Sequence, residues 1–119
     1  MELPSEFDSY AVVVLRRPDD ARELPEDEEE RLQREHVRFI LSLVQSGAAY
    51  AGGPLLEPSN PALVGLMIFR VPLDEARGLA NEDPKVRAGQ LVAETFTWTF
   101  PAGQLDLEFG RAAGRYAAD

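Results

Sequence analysis

The rhythm of apolar and polar residues changes repeatedly along this chain, and each change marks an element. Residues 7–15 (FDSYAVVVL) form a β-branched apolar run that ends at the polar turn cluster Arg16-Arg17-Pro18-Asp19-Asp20. Such a run, bounded by turn residues, predicts a central strand. From Pro25 the period lengthens: Leu32, His36, Phe39, Ile40, Leu43 and Val44 recur at three- and four-residue steps. They share one face of a helix, and Glu28, Glu29, Arg31, Arg34, Glu35 and Arg38 lie largely away from it. Pro25 and the acids Glu26, Asp27, Glu28, Glu29 and Glu30 suit the positive end of a helix dipole, and Gly47 after Ser46 is a natural stop.

Residues 48–51 read as a short strand closed by Gly52-Gly53-Pro54, with a loop over Glu57-Pro58-Ser59-Asn60-Pro61. Residues 62–70 (ALVGLMIFR) predict another buried strand. Pro72 starts a short helix with Leu73, Ala76, Leu79 and Ala80 on one face, and Asp83-Pro84 begins a further turn that Gly89 ends. Residues 91–100 (LVAETFTWTF) alternate, so Val92, Glu94, Phe96, Trp98 and Phe100 point one way and Leu91, Ala93, Thr95, Thr97 and Thr99 the other. After Pro101, the alternation of Leu105, Leu107 and Phe109 with Asp106 and Glu108 suits a short extra strand or an arm onto a neighbouring sheet, followed by a loosely held tail. The order β-α-β-β-α-β predicts a ferredoxin-like α+β domain, one antiparallel sheet with both helices on one face. The single domain spans 1–119, with its core over 7–100 and an extension over 101–119. The sheet's other face stays bare in a monomer, and burying it against a second copy predicts a homodimer.

Composition narrows the choices. The net charge of −9 and the pI near 4.6 argue against nucleic acid or an anionic membrane as partner, since both need a positive face. There are no cysteines and one histidine, which excludes disulfides, thiolate chemistry and multi-histidine zinc sites within one chain. The N-terminal residues lack a basic-then-apolar signal pattern, and no apolar run approaches the ~18–20 residues of a membrane span. A cytoplasmic setting is the expectation.

His36 is the first candidate for chemistry, because imidazole can be acid or base at cellular pH. On an apolar stripe it can equally be a core residue with both nitrogens satisfied. Asp83 is the second: aspartate before proline is a good N-cap, and a capping carboxylate is fixed in place, which is what orienting an imidazole requires. Gly53 and Pro54, with Gly52, can line a pocket or simply make a turn. Glu94 and Trp98 share a strand face, where the carboxylate either sits in a pocket among aromatics or is exposed at a strand start. No glycine-rich nucleotide motif follows a strand, and the GxxxG spacing of Gly110 and Gly114 lacks an apolar span around it.

At these residues the chain resembles the YCII-related domain family. The likeness is carried by EHVRFILSLVQSGAAYAGGPL (35–55) and LDEARGLANEDPKVRAGQLV (73–92). In order, these hold a helix with one histidine, the turn Gly53-Pro54-Leu55, the acid-and-alanine stretch Asp74-Glu75-Ala76, and Asp83-Pro84-Lys85-Val86-Arg87-Ala88-Gly89. The resemblance implies a dimeric ferredoxin-like α+β barrel with a small pocket centred on a histidine and an aspartate, here His36 and Asp83. It also implies acid-base chemistry on small organic molecules, including lyase-like dehydrochlorination of aromatic catabolites, and no cofactor. Where such families often carry an aromatic after the Asp-Pro step, this chain has Lys85 and so a positive charge.

Together these readings point to a lyase- or isomerase-like enzyme for a small organic acid or phenol-like molecule. His36 is the acid or base, Asp83 holds its tautomer, and Gly53, Pro54, Glu94 and Trp98 line the site. The alternative is a module of the same dimeric fold that binds a small ligand or another protein without chemistry.

Overall fold

A computed structural model of the chain describes residues 1–105 and 107. Strand β1 (Phe7–Arg16) leads to helix α1 (Glu26–Gln45), then strands β2 (Ala49–Pro54) and β3 (Leu63–Phe69). Helix α2 (Leu73–Ala80), the single turn α3 (Pro84–Arg87) and strand β4 (Val92–Pro101) complete the order. The sheet runs β2-β3-β1-β4 and every pairing is antiparallel. This is the ferredoxin-like α+β topology that the periodicity predicts.

The β-branched run of β1 lies in the middle of the sheet because it can be buried on both sides. Directly paired residues share a face, so Ala11, Val13 and Leu15 face the same way as Phe69, Met67 and Gly65. That face carries both helices: Val13, Leu15, Met67 and Phe69 pack in one cluster with Ile40 and Leu43 of α1 and Ala76 and Ala80 of α2. Val13, Met67 and Phe69 are at most 1% exposed, and each contributes roughly 1.5–3 kcal/mol by burial. The two alanines let α2 lie close to the sheet. Helix ends follow the punctuation. Pro25 precedes α1, whose first turn holds Glu26, Asp27, Glu28 and Glu29, and Gly47 takes a positive φ of 85° after it.

Two expectations need correction. Gly52-Gly53-Pro54 is not a turn but the end of β2, paired with Met67, Leu66 and Gly65. The reason lies on the helix side of the sheet: a Cβ on Gly52 would stand 2.9 Å from Ile40 Cγ2 and 2.9 Å from Met67 Cγ. Glycine here lets β2 pass beneath α1. Pro54 is tolerated because β2 is an edge strand, where an N–H can be spared.

The second correction concerns Glu94 and Trp98, expected at the site, since β4 alternates as predicted but turns their set away from the helices. Its threonine-bearing set pairs with Ala11, Val13 and Leu15 and so shares the helix side, while Phe96 and Trp98 pair with Val12 and Tyr10 on the opposite side. There Phe96, Trp98 and Leu66 stay 48%, 46% and 37% exposed. At one end of this face Tyr10 stacks on Phe100 at a centroid separation of 5.7 Å, and Trp98 packs tilted against Phe100 at 4.9 Å. The extra strand expected over 105–109, and the tail after it, fall for the most part outside the described residues. No helix among the described residues is long and apolar enough to cross a membrane.

Candidate functional site

Asp83 owes its position to the backbone around it. Pro84 at the first position of α3 fixes φ and needs no donor, and Asp83 caps the turn by accepting the Lys85 backbone N–H at 2.9 Å. Its own N–H donates to the Ala80 carbonyl and its carbonyl accepts from Arg87. The side chain is fully buried. A buried carboxylate is costly without partners, and the second partner comes from α1. His36 Nδ1 lies 2.9 Å from Oδ1 and 2.7 Å from Oδ2. A carboxylate only accepts, so Nδ1 carries the proton and donates to both oxygens.

This leaves Nε2. No buried side-chain nitrogen or oxygen among the described residues lacks a partner, and no described residue bonds this nitrogen. Nε2 therefore reaches solvent, in keeping with a ring that is 16% exposed. In the neutral ring it holds the lone pair, and in the charged ring a proton.

His36 opens onto a cleft of about 310 Å³ between α1, the paired ends of β2 and β3, and α3. Ile40, Met67 and Leu91 make an apolar wall, and Gly52, Gly53 and Pro54 line it along the sheet edge. Arg17, Gln33, His36 and Lys85 make its polar part. The shape suits a single-ring molecule, since ligand pockets start near 300 Å³. A shallower groove of about 530 Å³ shares Arg17, Gln33 and Lys85 and extends over the acidic first turn of α1, past Glu26, Glu29 and Glu30. Among the described residues, no three His, Asp or Glu side chains are grouped to hold a metal ion.

Lys85 is the chain's one lysine, and it shares the cleft with the one histidine. Its N–H is held by Asp83, and its carbonyl accepts from Gln90 and Leu91. Partial burial pushes its ammonium below the ordinary value of 10.5, with Arg17 adding to the effect and Asp83 and Glu29 opposing it. Neither Lys85 nor Arg17 makes a side-chain hydrogen bond or an ion pair among the described residues.

Of the residues singled out in the sequence, the structure brings His36, Asp83, Gly53 and Pro54 together. It does not bring Glu94 and Trp98 to them. Strand parity turns both to the sheet face away from the helices. There Glu94 accepts from Arg16 Nε at 2.6 Å, and Trp98 borders a shallow apolar hollow with Phe96, Ile68 and Leu66. Arg17, Lys85 and the Ile40–Met67–Leu91 wall were not singled out as site residues, though one signal existed. Continuing the period-two series Ala11, Val13, Leu15 by one step reaches Arg17.

The profile of the YCII-related domain matches residues 9–99. The chain belongs to this family. The matched region contains His36, Gly53, Pro54, Asp83 and Lys85, so the whole cleft lies inside the YCII-related domain. No curated protein matches the chain significantly. Among solved structures, it is similar to 5-chloro-2-hydroxyhydroquinone dehydrochlorinase from Burkholderia phenoliruptrix, in a complex with 2,5-dihydroxybenzoquinone. That likeness is 18% identity over 79% of this chain and 96% of the other, at a TM-score of 0.48.

Proposed function

We propose that this YCII-related protein is a small-molecule enzyme in which His36 exchanges a proton with a small organic metabolite and Asp83 positions it. The observation that supports this reading is the two-oxygen contact of Asp83 with Nδ1. It commits one ring nitrogen to a buried carboxylate and leaves the other open to a cleft. In this reading Nε2 takes a proton from a C–H or O–H of the bound molecule. The imidazolium so formed is stabilised by the carboxylate behind it, with no transfer of the second proton. Returning the proton to a different atom of the substrate is isomerisation. Loss of a leaving group from the deprotonated substrate is a lyase-type elimination, with the proton delivered to that group or to water. Neither course calls on a cofactor.

The functional unit in this reading is a homodimer, formed through the sheet face that carries Phe96, Trp98 and Leu66, since that apolar face has no cover among the described residues.

The test is solvent-deuterium incorporation into a panel of small organic acids and phenols, followed by NMR for the native protein and for His36→Asn. Incorporation by the native protein that His36→Asn abolishes, with its fold retained, is the expected result. Exchange that survives the substitution overturns the role of His36. An Asp83→Asn protein that changes ligand affinity while leaving the rate of bound ligand untouched marks a binding module instead.

A further inference from the structure

The catalytic reading leaves two cleft residues without a task. Arg17 and Lys85 line the same cavity as His36, in a chain whose net charge is −9. Arg16, Arg31 and Arg77 pair with acids. Among the described residues Arg17 and Lys85, like Arg22, Arg34, Arg38 and Arg87, make no ion pair, and of these unpaired cations it is Arg17 and Lys85 that line the His36 cleft. The carboxylate of Glu29, which faces Lys85 from α1, accepts instead from Gln90 Nε2 at 3.0 Å. Lys85 is moreover held by its backbone: Asp83 fixes its N–H, and Gln90 and Leu91 fix its carbonyl. An ammonium on a pinned backbone, half-buried and without an ion pair among the described residues beside an apolar wall, is suited to bind an anion.

We propose that Arg17 and Lys85 form the anion-binding end of the His36 cleft. They select a substrate that carries a carboxylate or phenolate on a flat apolar body, which lies against Ile40, Met67 and Leu91. This rests on the function proposed above and names its substrate class. The charged group sits between the two cations, and the proton to be moved lies within reach of Nε2. The overall negative charge then adds selectivity, because an anion gains only where these two cations outweigh the surrounding field.

Benzoate serves as the probe and benzamide, its neutral analogue, as the control. Binding of each to the full chain is measured by calorimetry and by perturbation of the single histidine's ring signals. The native protein is expected to prefer benzoate. Lys85→Met and Arg17→Met, which keep much of the side-chain length without the charge, are each expected to lose about tenfold in benzoate affinity and to leave benzamide unchanged. Lys85→Arg is expected to keep the preference, which a purely structural role for Lys85 does not predict. Benzoate preference in a native protein that incorporates no deuterium into any of the panel would support this proposal while overturning the proton-transfer reading, so the two failures are separable. Absence of a native preference for benzoate, or retention of that preference by both methionine variants, overturns the proposal.

Discussion

His36 Nδ1 faces both oxygens of Asp83, at 2.9 and 2.7 Å, across 47 residues of sequence, where α1 meets a fully buried carboxylate. One carboxylate does two jobs there, since Oδ1 also accepts the Lys85 N–H. Asparagine at position 83 can keep the cap through its own oxygen. It then turns an N–H₂ toward Nδ1, and the imidazole must present a lone pair there and carry its proton on Nε2. Asp83→Asn is therefore expected to switch the neutral ring from the Nδ1–H to the Nε2–H tautomer. Nitrogen-15 chemical shifts of the single histidine report this directly. An unchanged tautomer would show that Asp83 does not set the ring's proton.

The same pair makes a prediction about stability. His36→Ala leaves Asp83 buried with one partner fewer, which is expected to cost about 3 kcal/mol. His36→Asn, which can still donate to the carboxylate, is expected to cost clearly less. Urea denaturation of both variants checks the ordering, and equal losses would mean that lost packing rather than the orphaned carboxylate dominates.

Lys85 links the site to pH. Burial holds its folded-state value below 10.5 against the attraction of Asp83 and Glu29 and with the help of Arg17. His36 shares its cleft, and Glu26, Glu30 and Arg34 border the adjoining groove. Between the lowered value and 10.5 the unfolded chain binds more protons at this site than the folded one, so this residue's contribution makes stability rise with pH in that window. Below the window, holding the charged lysine carries its full penalty. Lys85→Met is accordingly expected to be more stable than the native protein near neutral pH, with the advantage shrinking as pH climbs toward 10.5. Paired denaturant melts at neutral and alkaline pH check this, because titrating groups that do not interact with Lys85 cancel in the difference. An advantage that grows with pH contradicts the sign.

Neighbouring glycines should behave differently. A Cβ at Gly52 meets Ile40 and Met67 at 2.9 Å, whereas one at Gly53 has nothing within 4 Å. Gly52→Ala is expected to destabilise by about 1–3 kcal/mol through overpacking, and Gly53→Ala to stay within about 0.5 kcal/mol of the native protein. Thermal melts of the two variants decide it. Similar melting points would mean that α1 can shift away from β2 at little cost.

These cases also mark how far the sequence could be read. Period-two and period-3.6 patterns are local, and they located the strands, both main helices and the stripe that holds His36. Glycine and proline punctuation located Gly47, Gly89 and the Asp83 cap. Gly52-Gly53-Pro54 was misread because those residue types usually leave strands, and the cause of their presence, Ile40 above and Met67 alongside, is a tertiary contact. Parity divided β4 into two faces but could not say which one the helices cover. The aromatic set, with Glu94 and Trp98, suggested a pocket and lies on the other side. The Asp83-Pro84 cap suggested a carboxylate fixed to orient His36 and the resemblance strengthened the pairing, but no local pattern could bring the two together, since the path of α2 and α3 over the sheet does that. Lys85 registered only as a charge where an aromatic was expected.

The side of the sheet away from the helices supplies the last prediction. Val12, Leu66, Ile68, Phe96 and Trp98 form a shallow apolar hollow there, and Phe96 and Trp98 remain about half exposed. A twisted antiparallel sheet with one dry face is complementary to a copy of itself, and two such faces pack about 10 Å apart with interdigitated side chains. A two-fold contact repeats each residue's environment, so a charge placed at the centre of the face is buried twice. Trp98→Glu is therefore expected to convert a dimer into a monomer, read by sedimentation equilibrium of the native and variant proteins. The chain's single tryptophan gives a second readout, because native fluorescence should shift to the red as dilution separates the copies and exposes the indole. A native protein that sediments as a monomer, with emission independent of concentration, would mean that this face is covered by something other than a second copy. A dimer that survives Trp98→Glu would place the interface elsewhere on the chain.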